Sequence, residues 1–507
     1  MLLNHKHTIF LALFLLTLLA LPQPLWADEE QWRGSVEVAP DKFGWFPDLA
    51  VDLEGTIHVI WGSGAEEVSE TGLDKESIDV LSYRALRQGR WTAIEDIART
   101  AKGGYTVRNS LVVNIDGRIQ ALVRYETDVK AVSAPADGAG SAQYWTAPQR
   151  LGSSYYNALA ADSRGHLHML YQELVITRGE QANLASEVFY RRSTDGGQTW
   201  TIQQNIAYLP GGDERMQIKV DHQDRIHVVW DHGSDWYLGI DNPAYGVYRR
   251  SDDGGQTWQP AIALGIADEP TVQTALGLTL EGNPLAVYRS ANGEHVYAQY
   301  SPDGGVTWQF PAIIPGVRAR APIERGLDSY SLAVDSANRL HLLMVGFPTE
   351  SPAGIPMVLH LIWDGQGWSA PEVVYQSEKR PMWPRAVVAQ GNELHAVWFT
   401  YTAVSDWGER RIWHNSRPLS SPQVAASPPR PLPTAATTYR ERPANVEEHE
   451  VAVGIAPTAQ PWRDIQPPTA INVWRDVVAV GLGVLGVLSM LVVFTILTLR
   501  RRAREEG

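Results

Sequence analysis

The sequence predicts an all-β protein: a β-propeller of four-stranded antiparallel blades, with seven blades favoured over six. Three observations carry this. One hairpin pattern recurs seven times, a second hairpin follows it in most units, and no long 3.6-residue periodicity occurs before residue 477. A single four-stranded sheet has two apolar faces and cannot bury both alone. Radial stacking of such sheets buries both.

The first hairpins read FPDLAVDLEGTIHVIW (46–61), NSLVVNIDGRIQALVR (109–124), YNALAADSRGHLHMLY (156–171), MQIKVDHQDRIHVVW (216–230), TALGLTLEGNPLAVY (274–288), YSLAVDSANRLHLLM (330–344) and PRAVVAQGNELHAVW (384–398). Each has two short apolar-alternating runs around a polar turn. Their anchor residues are Val51, Val113, Ala161, Val220, Leu278, Val334 and Val388, 48 to 62 residues apart.

The second hairpins turn at STDGGQTW (193–200), SDDGGQTW (251–258) and SPDGGVTW (301–308), with worn forms DGQGW (364–368) and RQGRW (87–91). A ring of blades must also close. Gln31–Ala39 resembles the last strand of other units, so it is expected to complete the last blade and remove the open edge; Ser421–Ala425 is the competing segment.

The ends differ in composition. Residues 1–27 read as a secretory signal, with an apolar run Ile9–Leu21 before Ala27. The propeller is expected over 28–425 and a Pro/Ala/Thr-rich stalk over 426–474. A transmembrane helix is expected over 475–499, because Val477–Leu499 carries no charge. The basic tail 500–507 places the C-terminus in the cytoplasm and the propeller outside. The chain has no cysteine, which excludes disulfides and thiolate chemistry. A net charge of −14 argues against nucleic acid as a partner. No cofactor is expected.

The octet Ser-x-Asp-x-Gly-x-x-Trp is complete three times: Ser193, Asp195, Gly197, Trp200; Ser251, Asp253, Gly255, Trp258; and Ser301, Asp303, Gly305, Trp308. It resembles the Asp-box, or bacterial neuraminidase repeat, of the sialidase-like propellers. A carboxylate at a tight turn accepts backbone N–H bonds, and glycines admit positive φ. Three such acids on three blades cannot converge on one substrate, so they are read as turn-formers. The histidines His58, His168, His227, His341 and His395 fall at one equivalent position per unit. Four have an Asp six residues earlier, at Asp52, Asp162, Asp221 and Asp335. They are read as polar pairs across the first hairpin, not as a metal centre.

Function is placed on the loops at one end of the channel. Arg124, Arg215, Arg289, Arg385, Trp236 and Trp383 are the candidate ligand-binding residues there. In sialidases an arginine triad holds the sugar carboxylate and a tyrosine assisted by a glutamate is the nucleophile. The resemblance implies Tyr330 and Glu269 as the catalytic candidates. The family's N-terminal Arg-Ile-Pro signature is replaced by Lys42–Pro47, and true sialidases have six blades. The expected function is therefore binding of a glycan or surface protein without catalysis. The alternative is a sialidase-like exo-glycosidase acting on terminal acidic sugars.

Overall fold

The computed structural model describes residues 31–432, except 41, 69–74, 101–107, 126, 155, 178–182, 208–211, 236–239, 267–268, 292, 321–329, 353 and 402–409. The expected signal segment, transmembrane helix and tail, and the stalk beyond 432, lie outside the described residues. Among these residues no helix is long and apolar enough to cross a membrane.

Seven antiparallel sheets follow one another along the chain. Their inner strands are Trp45–Val51, Ser110–Val113, Asn157–Ala161, Asp213–Val220, Thr271–Leu278, Ser331–Val334 and Arg380–Ala389, which number blades 1 to 7. In blade 6 a short strand, Val317–Ala319, also pairs with the second strand, and 321–329 falls between. The seven-blade expectation holds.

The ring closes as the repeat predicts. Val36–Glu37 is the outer strand of blade 7, with Val36 opposite His414 and Glu37 opposite Trp413. Arg33 N–H donates to Ser416 O at 3.0 Å and Val38 N–H to Ile412 O at 2.8 Å, extending the pairing. Ser421–Ala425 does not compete for this edge; it passes along the turn of blade 7, where Val424 N–H donates to Gln390 O at 2.7 Å.

Second strands are buried on both faces because each lies between two neighbouring blades. In six of the seven blades one large residue at the same place in the second strand is fully buried: Trp61, Tyr171, Trp230, Tyr288, Met344 and Trp398. The five aromatics among them each bury on the order of 150–250 Å².

The repeated polar residues form inter-blade connectors. In blade 4, Asp221 Oδ1 accepts the N–H groups of Gln223 and Arg225, both at 2.9 Å, which closes the first hairpin. Its Oδ2 lies 3.2 Å from His227 Nε2, and His227 Nδ1 lies 2.7 Å from the Tyr248 hydroxyl. Blade 3 repeats the arrangement with His168 and Tyr190, and Tyr190 donates onward to Gly254 O at 3.2 Å in blade 4. The Asp–His pair is thus the start of a line that ends on the next blade's Asp-box. Blade 2 substitutes an amide: Gln120 Nε2 donates to Gly196 O at 3.0 Å. Blades 6 and 7 use a second histidine, with His341 bonded to His360 and His395 to His414.

The Asp-boxes are turns. Asp253 Oδ1 accepts N–H from Gln256 and Thr257 at 2.9 Å and the Ser251 hydroxyl at 2.8 Å, while Oδ2 accepts the Thr257 hydroxyl at 2.6 Å. Asp195 and Asp303 repeat this. Both glycines of each box have positive φ, 70° and 83° at Gly254 and Gly255. The tryptophans do more than cover their own hairpins. Trp258 packs edge-on to Tyr190 at 5.1 Å and Trp308 to Tyr248 at 4.8 Å, each across a blade boundary. Asp253→Ala is expected to cost about 1–2 kcal/mol by urea unfolding, since it frees exposed turn donors that water can solvate. It is expected to leave ligand binding at the opposite end unchanged.

Candidate site at the channel mouth

Each inner strand enters the channel at one end and reaches its first-hairpin turn at the other. At the entry end the strands of blades 1, 4, 5 and 7 slip register, between Trp45 and Asp48, Glu214 and Gln217, Val272 and Ala275, and Met382 and Arg385. A non-glycine residue sits at positive φ in these blades and in blade 2: Phe46 at 49°, Arg108 at 56°, Arg215 at 56°, Gln273 at 63° and Trp383 at 56°. All five stand five residues before the anchor of their unit. Such backbone is uncommon for bulky residues and costs energy, and bulges re-aim side chains at sites of this kind.

These residues touch in order around the mouth. Arg385 lies over the Trp383 ring at 4.2 Å, and Trp383 meets Phe46 edge-on at 5.0 Å. Arg108 stacks on Phe46 at 5.1 Å and on Tyr156 at 4.4 Å. Arg215 bonds to Glu214 Oε1 at 2.7 Å and Asp231 Oδ2 at 3.0 Å. Asp231 also accepts Gln273 N–H at 2.6 Å and Thr274 N–H at 3.0 Å. Gln273 Oε1 accepts Arg289 Nε–H at 2.5 Å, and Arg289 reaches Arg320 O at 3.5 Å. Burial alone would lower the Arg215 guanidinium, but Glu214, Tyr156 and Asp231 push it above its ordinary value.

Just inside, the polar residues that follow the bulges bind blade to blade. Asp48 accepts Leu111 N–H at 2.7 Å, and Gln217 accepts Leu276 N–H at 3.0 Å and donates to Tyr330 O at 3.1 Å. Burial pushes Asp48 up to about 6, opposed by Arg385, whose Nε lies 3.6 Å away. Burial lowers Lys219, with Asp48 opposing.

A cavity of about 30 Å³ sits in this ring, lined by residues that include Tyr156, Arg215, Gln273, Tyr330, Trp383 and Arg385. That is room for one water-sized group. The structure thus gathers four of the predicted residues, Arg215, Arg385, Trp383 and Tyr330. Others are elsewhere. Arg289 is buried behind Gln273, and Arg124 is buried on the second strand of blade 2 without lining the cavity. Glu269 accepts the Tyr297 hydroxyl at 2.8 Å and is not part of the lining. Trp236 lies outside the described residues. Gln273 was not among the predicted residues. The signal for it existed: it occupies the same place before its anchor as Arg215 and Trp383.

Residues 138–323 match the family model described as the BNR repeat-like domain, a segment that contains all three Asp-boxes. The resemblance to the sialidase-like Asp-box propellers holds there. No curated protein matches the sequence. Among solved structures, a protein of unknown function from Dyadobacter fermentans is similar at 15% identity and TM-score 0.46, over 77% of this chain and 99% of that one. An ulvan lyase, a polysaccharide lyase, is similar at 10% identity and TM-score 0.49, over 75% and 95%. The intramolecular trans-sialidase from Ruminococcus gnavus is similar at 12% identity and TM-score 0.41, over 75% and 96%.

Proposed function

We propose that the protein binds a glycan at the channel mouth, through an oxygen-rich and preferentially acidic group, without catalysis. One observation carries this reading. Arg215 Nε, Gln273 Nε2 and Trp383 Nε1 are buried donors without an acceptor among the described residues, and their residues line one cavity. Leaving such a donor unmet costs about 1–3 kcal/mol, so three around one space call for an acceptor from outside the chain. A sugar carboxylate or hydroxyl oxygen reaching into the cavity supplies it.

The acids argue for binding over turnover. Glu214 holds Arg215, Asp231 holds Arg215 and the backbone of blade 5, and Glu269 holds Tyr297. An acid/base catalyst needs a carboxyl in reach of the scissile oxygen. In the same reading the chain is exported and held at the membrane by its C-terminal segment, with a glycan or surface protein as partner.

Calorimetry on the full chain tests this, with N-acetylneuraminic acid and glucuronic acid against glucose. The acidic sugars are expected to bind and glucose at least tenfold more weakly. Trp383→Phe, which removes the indole N–H and keeps a ring, is expected to weaken binding by about fivefold, the worth of one hydrogen bond. Equal affinity for all three sugars contradicts the reading. The presence of Tyr330 beside Arg215 and Arg385 favours a second reading, an exo-glycosidase. Sialoside turnover that Tyr330→Phe abolishes would establish it.

A further inference from the structure

The segment that follows blade 7, Leu419–Leu432, has the composition of a linker, yet it lies against the propeller at the Asp-box end. Its path is regular. Val424 N–H donates to Gln390 O at 2.7 Å, Ser427 N–H to Leu53 O at 3.2 Å and Arg430 N–H to Ile115 O at 2.7 Å. The donors are spaced by three residues. The acceptors are equivalent: Gln390, Leu53 and Ile115 each stand two residues after the anchors Val388, Val51 and Val113. Three residues of the segment therefore advance one blade, from blade 7 to blade 1 to blade 2.

A polyproline II strand has three residues per turn and no internal hydrogen bonds, so it presents one backbone N–H in the same direction every third residue. The sequence respects that phase. Pro422, Pro428, Pro429 and Pro431 all fall between the donor positions, where a missing N–H costs nothing. The next position in phase is Pro433, which cannot donate. Over blade 3 the contact becomes apolar instead: a Cβ at Gly165 would strike Leu432, as would one at Gly196. Turn glycines earlier on the path make room likewise. A Cβ at Gly391 would come within 2.8 Å of Val424 Cγ2, and one at Gly117 within 2.9 Å of Pro429 Cγ. Ser421 Oγ donates to Gly391 O at 2.8 Å and Ser336 Oγ to Pro422 O, which fixes the start of the path.

We propose that the rim formed by the first-hairpin turns of blades 7, 1 and 2 is a binding surface for a polyproline II strand, and that its occupant is this chain's own segment 419–432. The rim reads backbone spacing, because the propeller repeats one carbonyl per blade at the step of one polyproline turn. Specificity comes from where proline is forbidden. The strap crosses the junction between the last and first blades, on the face opposite the candidate site, and so doubles the closure made by Val36–Glu37.

Residue-resolved amide exchange on the full chain tests this. The amides of Val424, Ser427 and Arg430 are expected to exchange at least tenfold more slowly than those of Gln423, Ala425 and Ala426. Uniform fast exchange over 423–430 overturns the proposal. Proline variants give a second reading. Ser427→Pro with Arg430→Pro keeps polyproline geometry and deletes two donors; elastase cleavage at Val424–Ala426 is expected to accelerate at least tenfold. Gln423→Pro, out of phase, is expected to be cleaved like the unmodified chain. Equal cleavage of the in-phase and out-of-phase variants also overturns it.

Discussion

Gly255→Ala is expected to destabilise the propeller by about 3–4 kcal/mol, whereas Gly89→Ala costs about 1 kcal/mol. Both glycines have positive φ, 83° and 75°, so the backbone strain of an added Cβ is nearly common to the two. They differ in surroundings. A Cβ at Gly89 meets nothing within 4 Å, but one at Gly255 falls on the hydroxyl and ring of Tyr190 in the preceding blade. Tyr190 cannot yield. It is buried, bonded to His168 and Gly254, and packed edge-on against Trp258. Gly305→Ala meets Tyr248 in the same way and should match Gly255→Ala. Urea unfolding of the three variants decides the point. Equal losses at Gly89 and Gly255 would mean that the Asp-box matters only to its own turn and does not lock blade to blade.

The second large effect is on acid stability. Burial pushes the His360 imidazole down to about 4 and His395 to about 3, and His414 falls well below its ordinary value for the same reason. In the unfolded chain these groups take up a proton near 6.5. Between the two values the unfolded state binds more protons than the folded one, so stability is full above about pH 6.5 and declines as pH falls towards 4. At about 1.4 kcal/mol per unit, His360 and His395 each remove about 3 kcal/mol by pH 4. The turn carboxylates act lower. Burial would raise Asp335 and Asp162, but the bonds from His341 and His168 prevail and hold both at about 2. Their contribution is full above about pH 4 and is lost as pH falls towards 2. The urea midpoint should therefore drop steadily from pH 7 to pH 4. His395→Gln should flatten that slope by about a third or less, because His360 and His414, and more weakly His168, His227 and His341, still take up protons on unfolding. A wild-type midpoint that stays level between pH 7 and pH 5 contradicts the assignment of neutral buried histidines.

The fold was legible because its information is local and repeated. Hairpin alternation, the turn glycines and the anchor spacing each recur, so a worn copy such as DGQGW is still recognised from its neighbours. The closing strand was legible from resemblance to other outer strands, though only Val36–Glu37 of the predicted stretch forms the ladder. The histidine series was legible as pairs, but its third member was not. Tyr83, Tyr190 and Tyr248 lie on a different strand, and nothing in linear spacing ties them to His58, His168 and His227.

The site was legible only in part, for a physical reason. Its geometry rests on positive φ at Phe46, Arg108, Arg215, Gln273 and Trp383, none of them a residue type that announces such backbone. Residue type therefore pointed to Arg215, Arg385 and Trp383, and the sialidase resemblance to Tyr330, but neither pointed to Gln273. It also gave no means of separating Arg215, which faces the cavity, from Arg289, which supports Gln273 from behind.

The mouth is proposed to accept an acidic sugar without cleaving it. The most direct measurement incubates the purified full chain with a fluorogenic sialoside across pH 4–8 while following its binding by saturation-transfer NMR. The account predicts saturation transfer to the sugar, reduced in Trp383→Phe, with no release of fluorophore at any pH. Fluorophore release that disappears in Tyr330→Phe would contradict it and make the same cluster a catalytic centre.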